Sequence, residues 1–99
     1  MAHFHLHDAK STPAMSKAVQ LNNEANRMMK QGDYINAEKK HLEALALKVK
    51  ATGGDSVHVA NTRGALGELY MKMDRLEDAQ KALEHADKIR SGMHSFLSR

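Results

Sequence analysis

The stretch MKQGDYINAEKKHLEALAL, residues 29–47, holds Gly32, Ala37 and Ala44 where larger side chains would serve an amphipathic helix better. A second stretch, MKMDRLEDAQKALEHADKI at 71–89, again opens with Met-Lys and carries Ala79 and Ala86, each 42 residues after its counterpart. Small residues recurring at one offset read as two copies of a helical unit. Their function in such a unit is to let neighbouring helix backbones approach to the short end of the packing range.

Working outward, the rest of the chain divides into four helices. Thr12-Pro13 has the form of an N-cap followed by a first-turn proline, whose missing N–H is not needed there. Met15, Ala18, Leu21, Ala25 and Met28 follow at spacings of three and four, one face of a helix that Gly32 ends. Asp33 is placed to cap a second helix with two stripes, Tyr34, Ala37, His41 and Ala44 on one and Ile35, Leu42, Leu45 and Val49 on the other. Two stripes predict contact from both sides. Gly53-Gly54 break this helix, and Asp55 or Ser56 caps a third that presents Val59, Thr62, Leu66, Leu69, Tyr70 and Met73. Asp74 and Glu77 have the spacing of a capping box for a fourth, with Leu76, Ala79, Leu83 and Ala86 on one stripe and Ala82 and Ile89 beside it. Gly92 is expected to close it. The predicted fold is all-α, two antiparallel helical hairpins at 13–52 and 55–91 within one domain at 13–91. A mobile arm at 1–12 precedes them, and a short tail or capping helix at 92–99 follows.

Composition narrows the function classes. A chain of 99 residues supports one small core. The absence of cysteine removes disulfides, thiolate zinc sites and thiol catalysis. No apolar run reaches the roughly 20 residues of a membrane span and the N-terminus lacks signal-peptide character, so a soluble cytoplasmic protein without membrane contact is the expectation. The net charge of +3 is spread over alternating basic and acidic residues, the pattern of solvated helix faces. Lys39, Lys40, Lys48 and Lys50 cluster on helix two, but Glu38 and Glu43 dilute them and no aromatic is interleaved for base stacking, which argues against nucleic-acid binding.

Catalytic and metal motifs are equally sparse. The sequence has no Gly-rich phosphate loop, nucleophile elbow or His-Glu-x-x-His site, and adjacent carboxylates such as Glu77 and Asp78 diverge on a helix rather than flank a substrate. They suit the positive N-terminal end of the helix dipole instead. A non-enzymatic protein without cofactor is expected. His3, His5 and His7 alternate in the arm and could converge on a divalent ion. A disordered or cloning-derived arm explains them more simply, and no metal site is assigned. His41, on a buried stripe, reads as a satisfied core or interface histidine.

In the first hairpin Leu21, Ala25, Met28, Gly32, Tyr34, Ala37 and Ala44, and in the second Leu66, Gly67, Tyr70, Leu76, Ala79, Leu83 and Ala86, resemble the tetratricopeptide repeat. The resemblance covers about residues 18–91. The usual period is about 34 residues, and the longer one here is similar to the kinesin light chain type. Ala37, Glu38, Ala44, Leu45, Gly53, Val59, Ala60, Thr62, Leu66, Gly67, Leu69, Tyr70, Asp78 and Ala79 line up with that type. Its His-Pro is Ser56-Val57 here, its second turn glycine is Asp74, and Glu24 and Arg63 replace apolar residues.

The resemblance implies a concave groove, lined by the first helix of each hairpin, that accepts a peptide. The residues it assigns there are Asn22, Asn26, Met29 and Lys30 from helix one, with Asn61, Ala65, Glu68 and Lys72 from helix three. Asparagine amides both donate and accept, which suits a peptide backbone of any sequence. Asn26 matches an Asn of the family's carboxylate clamp, whereas Asn22 stands where the clamp has lysine. Two repeats are also fewer than the three usually needed, so the outer face of helix four needs a cover. Ala82, Leu83, Ala86, Ile89, Phe96 and Leu97 are the expected self-association surface of a homodimer, with exchange of hairpins as one route. The competing reading is a regulatory or scaffold fragment of a larger multidomain enzyme or adaptor.

Overall fold

The computed structural model describes residues 12–97, with side chains described as far as Gly92. Four helices follow one another: α1 at Pro13–Lys30, α2 at Tyr34–Thr52, α3 at Val57–Lys72 and α4 at Leu76–Leu97. Helices α1 and α2 pack as one hairpin, α3 and α4 as the other, and α2 joins the hairpins through α3. The fold is all-α, as the spacing of apolar and small residues predicts.

The helix ends follow from local chemistry. Thr12 caps α1, its hydroxyl accepting from the Met15 N–H at 3.1 Å, and Pro13 fills the first turn. Ser56 rather than Asp55 caps α3, its Oγ accepting from Val59 N–H at 3.2 Å. Asp33 sits at the N-cap of α2 without bonding a backbone N–H; its carboxylate instead accepts from the Asn36 amide.

The two hairpin turns close alike. In the first, Asp33 N–H reaches back to the Met28 carbonyl at 2.8 Å, with Gly32 at φ +82°. In the second, Arg75 N–H reaches the Tyr70 carbonyl at 2.8 Å, with Asp74 at φ +61°. This reach from beyond the helix to its last turn is satisfied by one residue in the left-handed region. Asp74 therefore occupies a glycine's position. The capping box expected of Asp74 and Glu77 does not form, because Asp74 is spent on the turn and Arg75 is the residue whose carbonyl accepts the first α4 bond, from Ala79 N–H. The far end of α4 also departs from expectation. It runs through Gly92 to Leu97, since a glycine in an exposed helix weakens but does not stop it.

The alanines of the opening stretch lie at the helix crossings. Ala18 and Leu21 of α1 pack on Ala44, Ala25 packs with Ala37 and Leu69, and Ala79 with Leu66 and Tyr70. Val59, Ala60, Ala86 and Ile89 form the cluster nearest the open end, closed by Leu45. Of the second α2 stripe Leu45 packs into the core, whereas Ile35, Leu42 and Val49 remain exposed, Leu42 beside Leu45 at the edge of a depression that α3 and α4 also line. The tightest approach is at Gly67, where an added Cβ would lie 2.6 Å from Leu83 Cγ and Cδ2.

Gly67→Ala tests that crossing. Overpacking costs about 1–3 kcal/mol, against roughly 1 kcal/mol that alanine gains over glycine inside a helix. We expect a net loss near 1 kcal/mol in urea unfolding, and a smaller cost of Leu83→Ala in the Gly67→Ala background than in the parent. An unchanged midpoint would show that α3 and α4 are not held at this distance.

Candidate functional site

A cleft of about 190 Å³ opens between α1, α2 and α3, lined by Asn22, Asn26, His41, Lys48, Asn61, Thr62 and Ala65. Four of these, Asn22, Asn26, Asn61 and Ala65, are groove positions expected from the sequence. Stacking of the two hairpins brings α1 and α3 side by side, and the spacing of three or four within each helix keeps each pair on one face.

The other assigned positions lie elsewhere. Glu68 and Lys72 border a separate shallow depression with Met71. Met29 is half-buried and packs on Ala25, Ala37 and Leu69, so it belongs to the contact between hairpins. Lys30 is exposed in the last turn of α1. Of the expected self-association residues, Ala86 and Ile89 are buried within the chain against Val59 and Ala60, and Leu83 lies over Gly67. Ala82 packs beside Leu66, Tyr70 and Ala79. The side chains of Phe96 and Leu97, like His3, His5 and His7, lie outside the described residues.

Three residues of the cleft, His41, Lys48 and Thr62, were not among those assigned. They form a directed chain of hydrogen bonds. Lys48 Nζ donates to Thr62 Oγ1 at 2.8 Å, and the Thr62 hydroxyl donates to Asn22 Oδ1 at 3.2 Å. The Asn22 amide N–H then donates to His41 Nδ1 at 2.8 Å. Each step fixes the next. Because an amide nitrogen only donates, His41 Nδ1 must accept, and the neutral ring carries its proton on Nε2. That Nε2 is buried and finds no partner. The expected satisfied histidine is thus satisfied at one nitrogen only.

Burial governs the protonation of this chain. His41 is 1% exposed and Lys48 6%. Loss of hydration, followed by the nearby Lys48 charge, lowers the His41 pKa from 6.5 to about 4. Burial likewise pulls the Lys48 ammonium below its ordinary range. No carboxylate lines the cleft. Nearby acids are engaged elsewhere: Glu24 pairs with Lys40 at 3.4 Å, and Glu38 accepts from Tyr70 Oη at 2.9 Å and Arg75 Nη1 at 3.0 Å. Buried beside Glu38, the Tyr70 phenol is pushed up to about 12, while Asp78 pairs with Arg75 at 2.9 Å. Asp78 is thus held in a local ion pair at the start of α4.

Lys48 was legible in hindsight. The buried stripe of α2 continues from Ala37, His41 and Ala44 by four residues to Lys48, which separates it from the solvated Lys39 and Lys50. Among the described residues no group of three or more His, Asp or Glu side chains could hold a metal. No described helix is long and apolar enough to cross a membrane.

Two small-residue hairpins stacked with their first helices around a shared cleft have a counterpart among known proteins. A family model described as tetratricopeptide repeat matches residues 17–90. The chain belongs to the tetratricopeptide repeat family. No curated protein and no solved structure matches it. Membership makes it a repeat module of the protein-binding kind.

The neutral His41 yields a prediction for this tetratricopeptide repeat domain. Its folded pKa lies below the unfolded value, so between pH 6.5 and about 4 the unfolded chain binds the proton that the folded chain refuses. Stability present above pH 6.5 is lost as pH falls through this window, by up to about 3 kcal/mol. Urea midpoints of the parent and His41→Gln should therefore converge or cross as pH drops from 7 to 4.5. Parallel curves would show that His41 titrates normally.

Proposed function

We propose that the chain is a non-enzymatic peptide-binding module whose concave face, centred on the α1–α2–α3 cleft, receives an extended segment of a partner protein. One observation supports this above others: Asn22, Asn26, Asn61 and Ala65, assigned to a peptide groove on their positions in the repeat, share a single cleft in the folded chain. Exposed amides such as Asn26 and Asn61 can donate to and accept from a peptide backbone. Asn61 accepts from Arg90 Nη2 of α4 at 3.4 Å, which leaves its NH₂ free to donate outward. The matching turns, Gly32-Asp33 and Asp74-Arg75, lie 42 positions apart and support the longer, kinesin light chain type of repeat. Binding of peptides from an array to the parent and to Asn26→Ala/Asn61→Ala tests the groove. At least tenfold weaker binding with unchanged helical circular dichroism is expected, and equal binding would remove the cleft from the site.

A second reading, self-association, is favoured by a different surface from that expected on α4. Ile35, Leu42 and Val49 recur every seven residues along α2 and are 65%, 44% and 37% exposed. That period suits pairing with the same stripe of a second copy about a two-fold axis. Hairpin exchange is disfavoured, since Gly53 at φ +88° bends the chain back between α2 and α3. Light scattering at micromolar to millimolar concentration should show a dimer that Leu42→Glu converts to monomer. A mass of 11.0 kDa throughout would rule this reading out.

A further inference from the structure

The depression beside Leu42 shares no lining residue with the cleft between α1, α2 and α3. It encloses about 230 Å³ between α2, α3 and α4. Leu66 of α3 is buried at its base, with Leu45 of α2 and Ala82 of α4 half-buried beside it. Leu42 and Lys81, both exposed, stand at the rim. Arg63 joins this apolar base from α3, at a position where the repeat pattern carries an apolar residue. Its methylene stem packs as an apolar side chain would. The guanidinium is another matter: Nε is buried without an acceptor, and Arg63 makes no hydrogen bond or ion pair among the described residues. Lys81 and His85, on the α4 wall, likewise have no polar partner there. Asp78, the one carboxylate in the lining, is already taken, since Arg75 Nε and Nη2 both donate to its Oδ2 at 2.9 Å. The Tyr70 hydroxyl is spent on Glu38. Three cationic or N–H-bearing side chains therefore border an apolar hollow with no acceptor of the protein's own.

We propose that this depression binds an aromatic phosphate monoester, the phosphorylated tyrosine of a partner peptide, with the ring on Leu45, Leu66 and Ala82 and the phosphoryl oxygens on Arg63, Lys81 and His85. The site is independent of the α1–α2–α3 cleft and of the segment proposed to bind there. Charge decides between anions. Arg63 and Lys81 supply two positive charges and His85 a third donor group, whereas a phosphate monoester brings about −1.5 to −2 charges at pH 7 and three acceptor oxygens. A carboxylate has a single charge and two oxygens, and would leave one cation unmatched. The rigid fork of a guanidinium also fits phosphate bidentately. Depth decides between phosphorylated side chains. Arg63 lies among residues buried below the rim of Leu42 and Lys81. Phosphoserine is too short to bring its phosphate below that rim and has no apolar body for the base, while the ring of phosphotyrosine supplies both reach and apolar surface. A peptide suits the site better than a bilayer or nucleic acid, because Glu38 and Asp78 share one guanidinium at the Tyr70 end. That end keeps a net negative charge, which opposes a continuous array of phosphates.

The test uses the full chain and the probe N-acetyl-O-phosphotyrosine methylamide. Comparators are the unphosphorylated tyrosine compound, its phosphoserine analogue, inorganic phosphate, and phosphatidylcholine vesicles containing phosphatidylinositol phosphate. By NMR, the phosphotyrosine compound should saturably shift the Arg63 Nε–H and the methyls of Leu42 and Leu66, leave the Asn22 and Asn61 amides in place, and bind at least tenfold more tightly than each soluble comparator. Equal binding by any of these three, or shifts at Asn22 and Asn61 in place of Arg63, overturns the proposal on the parent protein alone. Tighter capture by the vesicles would assign the depression to lipid headgroups and equally refute it. Two variants form the second arm. Arg63→Met keeps the apolar stem, so its melting temperature should match or exceed the parent's while affinity for the phosphotyrosine compound falls at least tenfold. Lys81→Met, at an exposed position that does not threaten the fold, should weaken binding about threefold to tenfold. Full affinity in Lys81→Met, or in a folded Arg63→Met, refutes the assignment. Light scattering on the same samples separates the remaining occupant. If concentration alone moves the Leu42 and Arg63 resonances and the phosphotyrosine compound does not compete, a second copy of the chain fills the depression and the proposal falls.

Discussion

Close approach of helix backbones is the constraint on which the structure depends. Ala18, Ala25, Ala37, Ala44, Ala60 and Ala86 are fully buried, and Gly67 admits no Cβ without moving Leu83. Alanine brings little apolar area, so a core built on it is thin. Stability then relies on dispersion between closely spaced backbones and on a few larger residues, Met15, Leu69 and Val59, set between the alanines. A larger residue at most of these crossings would push the two helices of a hairpin apart, and at Ala25 or Ala37 it would also push against Leu69 of the second hairpin.

Thin apolar contact between hairpins is supplemented by polar links. Tyr70 of α3 donates to Glu38 of α2, Arg75 joins Glu38 from the turn before α4, and the Arg75 guanidinium lies 4.5 Å from the centre of the Tyr70 ring. Asp78 shares the same guanidinium at 2.9 Å. In the cleft between α1, α2 and α3, Lys48, Thr62, Asn22 and His41 join three helices by bonds that all run in one direction and end on an unpaired N–H. One set of polar residues ties the hairpins together, while the other leaves unspent donors in an open cleft.

Much of the architecture was legible in the sequence. The caps at Thr12 and Ser56, the left-handed turn at Gly32 and the small residues at crossings follow from local chemistry that each residue carries wherever it stands. Asp74 was misread as a helix cap, since Asp favours both caps and left-handed turns; the reach of Arg75 N–H to Tyr70 decided between them. Half of the groove residues could be placed from the repeat, because position along a helix determines the face. Lys30, Glu68 and Lys72 fall outside the cleft because distance along the groove depends on how the hairpins stack.

The sequence alone thus determined an all-helical chain of two hairpins with alanine crossings, since helical periodicity and capping act over a few residues. Only the tertiary structure decided which polar groups lose their water. Lys48 looks like any surface lysine among Lys39, Lys40 and Lys50 until α3 lays Thr62 against it. His41 looks like an ordinary core residue until Asn22, 19 positions earlier, takes one ring nitrogen and leaves the other without a partner. Burial and hydrogen-bond direction are properties of residues distant in the chain that folding brings together, and pattern along one helix does not encode them.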